Sequence, residues 1–393
     1  MKRILFISAM MTAAVFTSCT QSDDLFIDNE SVPVTRAGET GDVIKIVNTE
    51  GAFLNALNTA NGNTTILLGA DITLTKEAVA TKPVTITTSS NKKIISTSPL
   101  VCKANVTFKD LEIDATTPKG KGAIQLSAEG IDVVLDHVTL TQHTAGSADG
   151  RVSSGIGIMY EAYNNSLTLC NNTTLTLPNN YVRGICMLPT EQTTIALSIT
   201  DSKITCGTDW SYPSTYARGI SFTHVKNPAE TPIVIKNSTI EGAFYALNVN
   251  GESELEFDID NSTIDGRAAF NVASPNLKAV IDNSRLVGHN NYDGPSESFA
   301  NIVMNPGSAG GELYLTNVIF ELDRKPLNTN TQYAFSLRDS NQSVYLDGII
   351  KIIDKGMSMM SFIAVVSSAT NINFYATEDY SVDLSECAPG AQF

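Results

Sequence analysis

Two short phrases recur along most of this chain and keep their order, which confines it to stacked, coiled folds. The first phrase is two apolar residues with one between, a spacer, an Asn or Asp, and another apolar residue three positions on. It reads IVIKNSTIEG at 233–242, DIDNSTIDG at 258–266 and AVIDNSRLVG at 279–288, with looser copies from Val106, Val133, Leu197 and Leu313. Its turn position falls at Asp110, His137, Asn171, Asp201, Asn237, Asn261, Asn283, Asn317 and Gly348, at spacings of 27, 34, 30, 36, 24, 22, 34 and 31 residues. Such variation rules out a rigid repeat of the ankyrin or tetratricopeptide kind. It suits coils whose core strands are fixed while their loops differ in length.

Alternation with period 2 places Ile233, Ile235 and Ile240 inside and Val234 and Lys236 outside. Asn, Asp and Gly tolerate the left-handed backbone that a sharp bend between two strands needs, so they mark the corner of each coil. On successive coils they would stand ~4.8 Å apart, close enough for Asn237, Asn261 and Asn283 to form an amide ladder. The second phrase is a small residue followed by apolar, any, apolar. It appears as AIQL (123–126), GIGI (155–158), GICM (184–187), GISF (219–222), ALNV (246–249), AFNV (269–272), NIVM (301–304) and AFSL (334–337). Both phrases stay in phase for eight coils, whereas a sandwich or propeller would show hairpin turns between antiparallel strands. The expected fold is all-β, a right-handed parallel β-helix. Residues 49–60, TEGAFLNALNTA, predict a short helix with Thr49 as its cap and Phe53, Leu54 and Leu57 on one face, closing the first coil. The far end shows no comparable helix.

With these phrases and the capping helix, the chain resembles the pectin-lyase-like superfamily of right-handed β-helices over roughly residues 44–393. The resemblance implies a ligand groove along the first-strand stack. It implies no chemistry, because that superfamily holds lyases, hydrolases, esterases, tailspikes and non-catalytic adhesins.

The start, MKRILFISAMMTAAVFTSCTQSDD, is basic, then apolar, then small before Cys19. It resembles a bacterial lipoprotein signal cut between Ser18 and Cys19, with Phe16 where Leu is usual. SDDL after Cys19 resembles the acidic surface-export signal of lipoproteins in one large phylum of Gram-negative anaerobes. The expected organisation is a signal peptide at 1–18, a lipidated acidic tether at 19–43 and one β-helix domain at 44–393, anchored through Cys19 at the outer membrane and exposed at the cell surface. From Cys19 on, 24 basic stand against 41 acidic residues, a formal charge of −17. A surface this acidic repels phosphate backbones, so nucleic acid is excluded as a partner. Cys102, Cys170, Cys186, Cys206 and Cys387 are scattered without a Cys-x-x-Cys pair, so no metal and no cofactor is expected, and the cysteines read as small core fillers. The expected solution state is a monomer.

The residue two before the first apolar position of the second phrase should form a column facing the groove: Gly122, Ser154, Arg183, Arg218, Tyr245, Ala268, Ala300 and Tyr333. Arg183 and Arg218 would lie on adjacent coils, where two guanidiniums repel unless an acid such as Asp209 or an anionic ligand lies between them. The loop TDWSYPSTYARG carries Trp210, Tyr212 and Tyr216 beside that column, with Tyr181, Tyr292, Tyr160 and Tyr163 on nearby segments. Aromatic faces suit the apolar faces of sugar rings, while Arg, Asn and Asp suit their hydroxyls. The glycan-contacting set is therefore Arg183, Trp210, Tyr212, Tyr216, Arg218 and Tyr245.

Signals for catalysis are weak: the Asp-Asp and Gly-His-Gly patterns of pectin hydrolases are absent. Asp258, Asp260 and Asp282 cluster on the second strand, away from the groove, and read as solvated ladder residues. His143, Asp149, Arg151, His224 and Glu161 are the remaining acid–base candidates. The leading expectation is non-catalytic binding of a polysaccharide. A lyase or hydrolase acting on an acidic polysaccharide is the alternative, and a structural or adhesive surface protein the third.

Overall fold

The computed structural model describes residues 43–144, 155–187, 193–207, 216–228, 231–290, 299–324, 332–355, 362–365, 369–387, 389–391 and 393. All fall within the compact unit Gly38–Phe393. Thirty-three strands and one helix form a parallel β-helix among these residues. Its coils are right-handed, the hand that a twisted strand and its crossover to a parallel neighbour impose. Each full coil lays down a first strand, a loop, a second strand, the corner, and a third strand. Strands on successive coils pair in parallel, as Ile233–Lys236 with Glu256–Asp260, and that strand with Lys278–Asp282.

The corners follow the expected chemistry. Asp110, His137, Asn171, Asp201, Asn237, Asn261, Asn283, Asn317 and Gly348 all have φ between 46° and 58°. Only Asn, Asp, His and Gly appear there, since a bulky or β-branched residue would clash in that conformation.

The hydrogen bonds between corners differ from a continuous amide ladder. Asn261 Nδ2 donates to Asn237 Oδ1 at 2.8 Å and Asn317 Nδ2 to Asn283 Oδ1 at 3.2 Å. Asn283 instead donates to Asp260 Oδ1 at 3.0 Å, so the chain of amides breaks there. These side chains are also solvent-exposed. The buried ladder is one residue later. The amide of Ser202 donates to Ser238 Oγ (3.1 Å), that of Ser238 to Ser262 Oγ (3.1 Å), and that of Ser262 to Ser284 Oγ (3.0 Å). Each hydroxyl turns its own proton to the carbonyl two residues back, as Ser262 does to Asp260 at 2.8 Å. Because these groups are shut off from water, each hydrogen bond removes a penalty of about 1–3 kcal/mol that an orphaned amide would carry.

Inside, the second and third strands alternate as expected: Ile233, Ile235, Ile240, Ile259, Ile264 and Ile281 are fully buried. The core holds an aromatic run in which Phe257 meets Phe222 edge-on at 5.5 Å and Phe270 at 5.1 Å.

At the entrance, the helix Glu50–Asn58 is capped by Thr49, whose hydroxyl accepts from the Ala52 amide at 3.2 Å. It buries Phe53, Ala56 and Leu57 over the first coil, and Leu54 is partly buried. At the far end no helix occurs among the described residues. Tyr380, Leu384, Cys387, Ala391 and Phe393 pack against the core, with Phe393 6.0 Å from Phe335.

Candidate functional site

On two coils the third strand runs straight into the next first strand without a loop, in Thr239–Asn250 and Thr263–Ala273. The backbone bends sharply at Gly242 and Gly266. A side chain on Gly242 would meet the Gly219 amide nitrogen at 2.6 Å and the Tyr245 carbonyl closer still, so only glycine fits. Pairing slips at this bend, between Gly242 and Tyr245. The result is an elbow where the first-strand and third-strand sheets meet, with Phe244 and Tyr245 set at its rim.

The facing column is Gly122, Ile156, Arg183, Arg218, Tyr245 and Ala268 in register, continuing through Ala300 to Tyr333. It corrects one coil of the sequence reading. Ile158 aligns with Ile124 and Ile185, so the second phrase there is GIMY at 157–160 rather than GIGI, and Ile156 takes the place expected for Ser154. The same two-residue shift turns Tyr160 inward. It is 4% exposed, with its hydroxyl donating to the Ala196 carbonyl at 3.2 Å, and is a core residue rather than a groove aromatic.

Four aromatic side chains line the elbow in sequence across successive coils. Tyr181 lies 5.6 Å from Tyr216, Tyr216 5.2 Å from Phe244, and Phe244 4.1 Å from Tyr245. Phe244 was not singled out from sequence, because ALNV hides it before the phrase begins. The guanidinium of Arg218 lies 5.9 Å from the Tyr245 ring centre, and that of the fully buried Arg267 lies 5.5 Å from Phe244. Trp210 and Tyr212 lie outside the described residues, as do Asp209, Tyr292, Asp149 and Arg151.

Arg183 stands directly opposite Arg218. Arg183 donates to Cys186 Sγ at 3.4 Å, and Arg218 Nε is buried with no hydrogen-bond partner. Burial lowers the Arg218 pKa, and the charge of Arg183 lowers it further. At one strand spacing, about 5 Å, two such charges would repel by about 3 kcal/mol at an effective dielectric of 20. Cys186 is fully buried beneath them, where burial raises the pKa of its thiol. No disulfide joins any two of the five cysteines among the described residues.

The acid–base candidates have structural occupations. Glu161 accepts from Gln125 Nε2 and Ser127 Oγ, both at 2.5 Å, with Lys121 Nζ at 3.6 Å. His143 pairs with Asp114 at 3.3 Å on exposed surface, and His224 occupies a bend with φ 53°. On the second strand, Asp258 pairs with Lys236 at 2.8 Å. Burial raises the Asp282 pKa, and Asp260 and Asp258 push it the same way.

One constellation escaped the sequence reading. His289 follows Gly288, which aligns with Gly266 and Gly242, and so sits on the same elbow three coils beyond Arg218. Its Nε2 lies 2.7 Å from Asp265 Oδ1 and its Nδ1 3.0 Å from Asp323 Oδ2. Burial would lower its pKa, but the hydrogen bonds and charges of both aspartates outweigh it and raise the value to about 9. Both ring nitrogens are therefore protonated and engaged at neutral pH. A histidine so held cannot exchange a proton with a substrate. Counting from the corners would have revealed it, since His289 and Asp323 both fall six residues after an Asn.

Among the described residues no group of three or more His, Cys, Asp or Glu is placed to hold a metal ion. An open depression of about 280 Å³ lies at the other end of the solenoid, lined by Asn63, Thr65, Thr85, Asn105 and Thr107. It carries no charged or aromatic side chain.

No family model matches the chain, and no curated protein does. Among solved structures, the Dettilon tailspike protein is similar over 86% of this chain at 12% identity with a TM-score of 0.40, and this chain spans 63% of its length. The PL6 family alginate lyase AlyGC is similar over 86% of this chain and 79% of its own, at 11% identity and a TM-score of 0.30. A polygalacturonase from Erwinia carotovora ssp. carotovora is similar over 93% of this chain and 99% of its own, at 10% identity and a TM-score of 0.24.

Proposed function

We propose that this protein binds a polysaccharide along the first-strand elbow without transforming it, and that it does so at the cell surface, held by a lipid on Cys19. The observation that carries the binding reading is the unbroken aromatic run from Tyr181 through Tyr216 and Phe244 to Tyr245, flanked by two arginines. Such a run offers apolar surface to sugar rings and charged donors to their substituents. Binding rather than catalysis is favoured because the groups of the elbow that could act as acid or base are engaged: His289 by two aspartates, and Glu241 by Lys203 at 2.9 Å and Thr205 at 2.8 Å.

A glycan array followed by titration calorimetry tests this. Tyr216→Ala should weaken binding about tenfold, the equivalent of 1.4 kcal/mol. Failure of the unmodified protein to bind any glycan would overturn the reading, and release of unsaturated products or new reducing ends would replace it with a lyase or hydrolase. The anchor rests on the sequence around Cys19. Cys19→Ser should shift the protein from the membrane fraction to the soluble fraction, and an unchanged distribution would remove the lipid from the account.

A further inference from the structure

The elbow holds a pair of charges that no acid among the described residues neutralises. Arg183 and Arg218 are directly opposed on neighbouring strands, one strand spacing or about 4.8 Å apart along the axis. In the same column, the coil before supplies Ile156 and the coil after supplies Tyr245, so neither neighbour brings a carboxylate. Among the described residues neither arginine forms an ion pair. Arg183 reaches only the Cys186 sulfur, and Arg218 leaves a buried Nε–H without an acceptor.

Elsewhere among the described residues several basic side chains find an acid, although Arg338 donates to Asn305 Oδ1 at 3.3 Å. Arg285 is paired with Glu321, which Lys355 also contacts. Lysines behave alike: Lys203 reaches Glu241 and Lys236 reaches Asp258. Two opposed guanidiniums, half-buried and unpaired in a molecule of net charge −15, raise the free energy of the unliganded fold. The fork of each guanidinium matches two oxygens of a carboxylate or sulfate, and one such group between the forks would accept from both.

We propose that Arg183 and Arg218 together hold a single anionic substituent, a carboxylate or a sulfate ester, carried by the glycan, so that the ligand is an acidic polysaccharide with one charge seated between these two coils. The assignment rests on the elbow being the glycan site, and it specifies the ligand class that fits it. The aromatic run beginning at Tyr216 then receives the sugar rings next to the charged one.

Two measurements separate this proposal from the reading beneath it. The first is melting temperature at low ionic strength. Arg218→Met should raise it by about 1–3 °C, because a repulsive charge leaves a site that no acid among the described residues balances. Inorganic sulfate should stabilise the unmodified protein more than chloride at matched ionic strength, and should lose that advantage in Arg218→Met. The second is calorimetric titration with a uronic acid oligosaccharide, a sulfated oligosaccharide and a neutral one of the same linkage. The unmodified protein should favour a charged ligand at least tenfold over the neutral one, and Arg218→Met should abolish the preference. The charged member that binds identifies carboxylate or sulfate.

Equal affinity for charged and neutral ligands would overturn the anion assignment and leave the glycan reading standing. Selective stabilisation by sulfate with no glycan bound would uphold the anion site and overturn the glycan reading. A fall in melting temperature in Arg218→Met, without any sulfate effect in the unmodified protein, would show that the pair is structural. Should Arg218→Met fail to fold, Arg183→Gln, on the neighbouring coil, carries the same expectations.

Discussion

Truncating Phe257 to alanine should cost about 3–5 kcal/mol of unfolding free energy, the largest effect of a single side chain expected in this molecule. Phe257 is 1% exposed and meets Phe222 and Phe270, both fully buried, edge-on at 5.5 and 5.1 Å. Removing it forfeits the transfer of a large ring from water, opens a cavity, and breaks two aromatic contacts at once. The neighbouring coils are fixed by backbone pairing and cannot close the gap, so little of the cost is recovered by collapse. Urea midpoints of Phe257→Ala and Phe257→Leu provide the check. Leucine refills most of the volume and should cost less than half as much. A loss below about 1 kcal/mol for alanine would show that the core relaxes freely.

The second large effect concerns His289. Its pKa moves from an ordinary 6.5 to about 9, which corresponds to about 3 kcal/mol of preference for the folded imidazolium. His289 is 21% exposed and Asp323 47% exposed, so solvent screens part of the interaction and about 2 kcal/mol is the better expectation. Because the folded pKa is raised, this stability is complete below pH 6.5 and disappears as pH rises through 9. Asp323 behaves oppositely. The hydrogen bond from His289 lowers its pKa, so its share is present above about pH 4 and lost as pH falls further.

Asp265 and Asp323 both face the ring. Lys355 acts on Asp323, and Glu321 nearby is taken by Arg285 and Lys355. The difference in unfolding free energy between the unmodified protein and His289→Gln should therefore be largest and flat between about pH 4 and 6.5. It should shrink to near zero by about pH 9.5. Taking the difference cancels the buried thiols, whose raised pKa values also erode stability in alkali. A difference that does not vary with pH would mean that His289 is neutral in the fold.

The sequence made the corners readable because a left-handed backbone admits few residue types, and so Asp110 through Gly348 announced themselves one by one. The same reasoning overlooked Ser202, Ser238, Ser262 and Ser284, because serine is common and nothing in the chain says that its hydroxyl is buried. GIGI misled by two residues because Gly155 and Gly157 both satisfy the phrase, and only the pairing of Ile158 with Ile185 decides between them. Arg183 and Arg218 could be set side by side from spacing alone, since both precede the phrase by one residue. Asp265, His289 and Asp323 could not be found by scanning for motifs. They are 24 and 34 residues apart, and only the coil register makes them neighbours.

That register turns the molecule into a ruler with fixed graduations. The step from Arg183 to Arg218, or from His289 to Asp323, is set by main-chain hydrogen bonds between strands, and no side-chain substitution can stretch it by a fraction. Two groups in one column can be separated only by whole multiples of about 4.8 Å. A lineage of such proteins following a ligand with a different repeat length could not adjust by gradual drift of the backbone. It would have to move a residue to another coil, insert or delete a coil, or reach with the loops, which are the one part of each turn whose length is free.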